Sequence, residues 1–207
     1  MPRCGFFVSR GAKVKLLRLV MKEFFTRYSY QSVHLFLNQV AIGLFGTVLA
    51  LAAGMAQSEP LKIGTGIFAI LFFLFLQFAA GWRVGSEDRV SIDLGKRSKD
   101  LWVPVKMWAL ANSLNFLLGI FVALALLFPD GGFLSTVGGV ATPIKLIAEG
   151  MYTGILSIEV GGAPLNTVWF VHLLTPVPAL FAIVVAYLCG INNINFGGLF
   201  SQSAPRK

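Results

Sequence analysis

Acidic side chains are scarce in this chain: nine Asp and Glu stand against 17 Lys and Arg. None of the nine falls within the four long apolar runs described below, which argues against the intramembrane carboxylate relay of a proton-coupled carrier. Histidine and cysteine occur twice each. The chain has no His-Glu-x-x-His, no Gly-x-Ser-x-Gly, no Gly-rich phosphate loop ending in Lys and no paired-Cys motif. No catalytic, metal or cofactor group is therefore expected, and the chain reads as a non-enzyme. His34 and His172 belong to opposite ends of two apolar runs, nearly a membrane thickness apart, which excludes a shared metal site. Cys4 and Cys189 fall on the side assigned below to the reducing compartment, so both are expected as free thiols.

Charged residues of either sign make up only 13%, about half of the ~25% usual for a soluble domain. Hydrophobic residues reach 56%, and the mean hydropathy is +0.76. The apolar content comes in runs at about 32–54, 63–82, 103–128 and 168–190, each close to the ~20 residues that cross ~30 Å of hydrocarbon. These predict an all-α integral membrane bundle of four transmembrane helices. It is preceded by a basic segment, 1–31, and followed by a tail, 191–207. No leftover segment reaches the ~50 residues of a separate soluble domain. Ala50-Leu51-Ala52 resembles a signal-peptide cleavage site, but the run before it exceeds the usual core of ~7–15 residues and further spans follow, so it reads as a retained span.

Orientation follows from Lys and Arg. Seven precede the first run and five lie at 83–101; Lys106, Arg206 and Lys207 join them on the same side, and only Lys62 and Lys145 lie opposite. The positive-inside rule then puts both termini in the cytoplasm; a bacterial plasma membrane is the expectation that the resemblance below adds. The net charge of +8 is distributed as flanks of the spans. It reads as topology signal and contact with anionic headgroups rather than as a nucleic-acid surface. Within 15–28, Lys15, Arg18 and Lys22 share one helical face opposite Leu16, Leu17, Val20, Phe24, Phe25 and Tyr28. That pattern suits an interfacial amphipathic helix or an ordinary basic flank.

Two connections stand out. The outer loop, 129–167, is Gly-rich and apolar, and Ile144, Ile147, Met151, Ile155 and Leu156 recur near helical spacing, predicting a helix over 142–157. It would lie flat on the outer surface, pack against the bundle or re-enter as a hairpin. The inner stretch 85–95 alternates Val90, Ile92 and Leu94 with polar residues, which predicts a short extended elbow. Pro176 and Pro178 should kink or unwind the first half of span four.

The candidate polar cluster is uncharged: His34 and Asn38 one turn apart on span one, and Asn112 and Asn115 on span three, in the inner half of the bundle. A buried amide in lipid needs a partner, so these four read first as interhelical glue and second as the lining of a solute or ion pathway. Small residues at four-residue spacing (Gly46, Ala50, Gly54; Asn115, Gly119, Ala123) support close packing. The basic residues Arg89, Arg97 and Lys99 of the inner loop, with Lys15, Arg18 and Lys22, are candidates for lipid or protein contact.

Three stretches, Met21–Tyr28 as Met-Lys-Glu-Phe-Phe-Thr-Arg-Tyr, the inner loop from Glu87-Asp88-Arg89-Val90 to Asp100, and Ala186-Tyr187 with Gly190, are together similar to a loose group of small four-span membrane proteins of Gram-positive bacteria. The resemblance implies the topology already read, carries no activity with it, and allows Met21 to be the natural start. The expected function is an accessory or assembly subunit of a bacterial membrane complex, with a protein partner or a homo-oligomer around it. The alternative is a small homo-oligomeric channel or passive transporter.

Overall fold

The computed structural model describes residues 10–130 and 132–194, with side chains from Met21 onward. The side chains of Lys15 and Arg18, together with Cys4 and the tail beyond Ile194, lie outside the described residues. The chain is helical almost throughout. Three helices are long and apolar enough to cross a membrane: Met21–Met55, Glu59–Asp93 and Val171–Ile191. A fourth such element exists only when two shorter helices, bent by 55° at their junction, are taken together.

The first helix, α1, runs Arg10–Met55 without a break, 46 residues or roughly 70 Å at ~1.5 Å per residue. The basic 15–28 segment is therefore helical as expected, but it is the first part of the spanning helix and not a separate element. Nothing between Ala12 and Ile42 could interrupt it, since that stretch contains neither Gly nor Pro. Phe24, Tyr28, Ser32, Leu35, Gln39 and Ile42 are its buried stripe, three or four residues apart, while Leu37, Leu44, Val48 and Leu51 face outward and exposed.

A tight turn through Gln57, whose φ is 50°, leads into α2 (Glu59–Asp93), which has Pro in its first turn. The helix continues through 85–93, where an extended elbow was expected, and this corrects that reading. The decisive period is Gly81, Val84, Gly85 and Asp88, all buried, against which the Val90-Ile92-Leu94 alternation carries little weight. Gly95 then ends the helix at φ 68°, its N–H donating to the Ile92 carbonyl (2.9 Å) and that of Lys96 to the Ser91 carbonyl (3.1 Å). Only a glycine takes that backbone without strain.

The apolar run at 103–128 forms two helices, α3 (Val103–Ala111) and α4 (Ser113–Leu127), which meet at Asn112. The Asn112 amide Nδ2 donates to the Trp108 carbonyl at 3.0 Å, competing with helical continuation. The long connection then forms α5 (Gly132–Ala148), a 3₁₀ turn (Gly150–Tyr152) and the short α6 (Thr153–Leu156). The helix expected over 142–157 is thus displaced by about ten residues. Thr142-Pro143 looked like a helix start, yet Pro143 sits inside α5. Packing decides the matter: Gly138 lies directly against Ala125 of α4, and Ala141 is buried. A small hairpin of β1 (Glu159–Val160) and β2 (Ala163–Pro164) follows. Next come α7 (Val171–Leu174) and α8 (Val177–Ile191), with the interruption where Pro176 and Pro178 stand.

The chief packing interface is α2 against α8. A Cβ on Gly85 would run into the Tyr187 carbonyl oxygen, so only glycine permits this approach. At this end of the bundle, which also carries the basic 83–106 region, Asp88 is 4% exposed and lies where α1, α2 and α8 converge. Arg27 Nη2 donates to its Oδ1 at 2.7 Å, the Tyr28 hydroxyl lies 2.8 and 2.7 Å from its two oxygens, and the Tyr187 hydroxyl donates to Oδ2 at 2.9 Å. Arg97 reaches in from the connecting loop, donating to the Tyr28 hydroxyl oxygen (2.8 Å) and to Glu23 (2.6 Å). A buried carboxylate needs such a complement of donors to remain charged. Replacing both phenols, Tyr28→Phe with Tyr187→Phe, should lower unfolding stability in micelles by about 3–6 kcal/mol, at ~1.5–3 kcal/mol per hydrogen bond to a charged group. A melting midpoint unchanged from wild type would contradict this network's role.

Candidate functional site

Lysine and glutamate are almost never found fully buried unless they are paired. Lys145 and Glu149 are each 3% exposed, and they sit one helical turn apart at the end of α5. Lys145 Nζ lies 2.6 Å from Glu149 Oε2. The Thr175 hydroxyl, between α7 and α8, donates to the same oxygen at 2.7 Å, and Lys145 Nζ stands 3.5 Å from that hydroxyl. His172 of α7 is 8% exposed, and its Nε2 lies 2.8 Å from the Asn166 carbonyl oxygen. Because a carbonyl only accepts, this nitrogen carries the proton.

The depth of the site is set by a close approach between backbones. The turn after α5 packs on α1 so tightly that a Cβ on Gly46 would fall 2.5 Å from the Met151 Cα, and one on Gly150 would overlap the Thr47 hydroxyl and the Gly43 carbonyl. Gly43 is fifteen residues along α1 from Tyr28, roughly 22 Å at ~1.5 Å per residue, and twelve from the other end of the helix at Met55. The turn therefore reaches the middle of the bundle. Met151 (0% exposed) and Tyr152 join Ile42, Ala69, Phe73 and Ala179 in one core cluster there. Of the three placements open for this segment, the structure has it inserted among the helices.

Beside the pair lies a cavity of about 210 Å³, room for about seven waters at ~30 Å³ each. Its walls are partly apolar, from Val122, Leu126, Leu146 and Leu156; Lys145, Glu149, Thr153 and His172 supply polar groups. Two buried oxygens of residues that line it, Glu149 Oε1 and Thr153 Oγ1, have no hydrogen-bond partner among the described residues, and the Tyr152 hydroxyl nearby is in the same condition. Buried polar groups normally find a partner in the protein or in ordered water, so these atoms mark a polar spot in an otherwise apolar region. Among the described residues, no group of three or more His, Cys, Asp or Glu converges as a metal site would require.

The residues singled out from sequence are placed elsewhere. His34 is exposed, with its ring 6.2 Å from that of Tyr30. Asn38 is half-buried, and its neighbour Gln39 is the residue turned inward. Asn112 and Asn115 are both buried; Asn112 is spent on the α3–α4 junction. Of the basic candidates, Arg97 joins the Asp88 network, Arg89 stands 3.4 Å from Asp93 one turn on, and Lys22 is exposed on α1. Lys99 lines a cavity at the basic end. Sequence reasoning passed over Lys145, Glu149, Thr175 and His172 because they were scattered between a loop and a span. The available signal was a Lys–Glu pair at i, i+4 inside an otherwise apolar stretch, the pattern of charges that neutralise each other if the stretch is buried.

No family model matches the chain, and no curated protein and no solved structure matches it.

Breaking a buried ion pair leaves one charge uncompensated and typically costs ~3–5 kcal/mol, whereas replacing both partners by apolar residues of similar size is near neutral. Lys145→Met and Glu149→Met should each destabilise the protein by about that much, and the double variant should recover most of the loss. Additive losses in chemical unfolding would show that the two charges do not depend on each other.

Proposed function

We propose that the chain is a non-enzymatic protein that crosses a bacterial plasma membrane four times, with α3 and α4 forming one bent span and both termini in the cytoplasm. In this reading it binds a small solute of zero net charge in the cavity beside Lys145 and Glu149 and gives it passive passage. The observation that carries the reading is the buried Lys145–Glu149 ion pair lining a cavity inside the bundle, two cancelling charges beside room for a small molecule. The lysine and glutamate cancel, so the pocket has no net charge with which to hold an ion. What it does offer beside the ion pair is polar lining from Thr142, Ser157 and Asn166 together with apolar walls. Glycerol, urea and the zwitterion glycine all combine that size with adjacent donors and acceptors.

The four crossings are supported by the three long apolar helices, by the bent pair, and by the 15 Lys and Arg that the sequence assigns to one side against Lys62 and Lys145. Lys145 lies inside the bundle and not on an outer loop, which makes the asymmetry stronger. The accessory-subunit expectation drew on the charged inner loop. With Arg97 engaged by Glu23 and Tyr28, and Arg89 beside Asp93, that expectation has less to rest on than the pocket has.

Proteoliposomes containing the purified chain should admit glycerol, urea or glycine faster than protein-free liposomes, read by stopped-flow light scattering or tracer uptake. The Lys145→Met/Glu149→Met variant, which removes both charges together, should lose about tenfold or more of that flux, the worth of one hydrogen bond to a charged group. Wild-type rates equal to empty liposomes for all three solutes would overturn the reading, as would a double variant as active as wild type.

A further inference from the structure

The basic end of the bundle holds a second cavity, of about 530 Å³, bounded by Glu23, Phe24 and Tyr28 of α1, by the loop from Lys96 to Asp100, and by Val103 and Lys106 of α3. Four cations line it, Lys96, Arg97, Lys99 and Lys106, against the carboxylates of Glu23 and Asp100. Two of the cations are already matched, Arg97 with Glu23 at 2.6 Å and Lys106 with Asp100 at 2.9 Å. Lys96 and Lys99 are exposed and have no ion pair among the described residues. The cavity therefore carries an excess of two positive charges.

That tally holds at neutral pH. Partial burial alone would raise the Asp100 carboxyl, but hydrogen bonds from Lys106 and from the Trp102 N–H, with the charges of Lys106 and Arg97, hold it below the usual carboxylate range. Asp100 is thus ionised and spent on Lys106, and it does not neutralise the two lysines.

The surroundings are amphipathic. Phe24 and Val103 form an apolar part of the wall, and the Lys106 ammonium lies 5.9 Å from the Phe24 ring. Leu94, Leu101 and Trp102, on the same loop, are 62%, 51% and 67% exposed. Apolar and aromatic side chains beside lysines at the end of a membrane helix are the composition of an interfacial belt. The α3 helix begins at Val103 on the cavity wall, so the positive end of its dipole adds to the field.

We infer that this cavity binds the phosphate of an anionic phospholipid headgroup, with Lys96 and Lys99 as its counter-charges. A phosphate needs several donors and unspent positive charge, and basic pockets at the cytoplasmic ends of membrane helices meet that need. An acyl chain descending from the headgroup meets apolar wall, which a free phosphate in water would not use. The same loop delivers Arg97 to Tyr28 and Glu23, so an occupied pocket braces the loop against α1 and the Asp88 network. The inference rests on the membrane placement proposed above and is independent of solute passage, since lipid retention is read without any flux.

The test is native mass spectrometry of the full chain in mild detergent, titrated with phosphatidylglycerol and with phosphatidylcholine of the same acyl composition. Phosphatidylglycerol should be retained in preference, and Lys96→Gln/Lys99→Gln should weaken that retention by about ten- to thirtyfold, from ~1 kcal/mol per basic residue at a membrane surface. Arg83→Gln/Arg89→Gln removes the same charge from residues outside the cavity and should leave retention intact. Excess glycerol 3-phosphate and inorganic phosphate should fail to displace the lipid. Displacement by either, with binding that depends on Lys96 and Lys99, would overturn the lipid source and assign the site to a soluble phosphate. No preference over phosphatidylcholine, or an equal loss in the Arg83/Arg89 control, would overturn the site itself.

Discussion

A charge withdrawn from water has to be compensated where it sits, and the middle of this bundle is organised around one such compensation, the Lys145–Glu149 pair. The pair belongs to a single turn of α5, so the helix must enter the bundle for the charges to be buried together. Entry requires backbones to meet without side chains between them, which the glycines at 43, 46 and 150 allow. Thr175 can reach Glu149 because the prolines around it break the last helix into α7 and α8. Inserted segment, interrupted helix and glycine contact are thus three consequences of one electrostatic requirement.

The basic end solves the same problem in a different way. Asp88 has no lysine one turn away; its donors are a guanidinium and two phenols brought from α1 and α8, with Arg97 of the loop behind them. Every strong donor is accounted for there, so the cluster acts as a clamp. At Glu149, a residue that lines a cavity, one carboxylate oxygen has no partner among the described residues. That difference in satisfaction is why one buried acid is read as scaffold and the other as site.

Much of the architecture was legible from the chain. The apolar runs and the charge asymmetry placed the long helices, and Pro176-Val177-Pro178 marked the broken one. The 85–95 stretch was misread because a two-residue alternation of exposed Val90, Ile92 and Leu94 competes with the buried Gly81-Val84-Gly85-Asp88 period, and glycines carry little hydropathy signal. Two counts treated Lys145 and Glu149 as loop charges, since an average over 129–167 cannot distinguish a surface loop from one that inserts. Asn112 and Asn115, singled out as polar groups in an apolar run, are both buried. Which amide of α1 turns inward was not legible, because Asn38 and Gln39 differ by one residue and hence by ~100° around the helix.

The central claim is that the connection between α4 and α7 inserts into the bundle and carries its ionic pair there. It is tested most directly by thiol accessibility in a background with Cys4 and Cys189 replaced by serine. Met151→Cys sits at the fully buried turn, and Val160→Cys at the exposed hairpin a few residues on. The account predicts that a membrane-impermeant maleimide labels position 160 readily in intact membranes and position 151 only after denaturation. Equal labelling of the two without denaturant would mean that the segment lies on the surface, and the buried site described here would not exist.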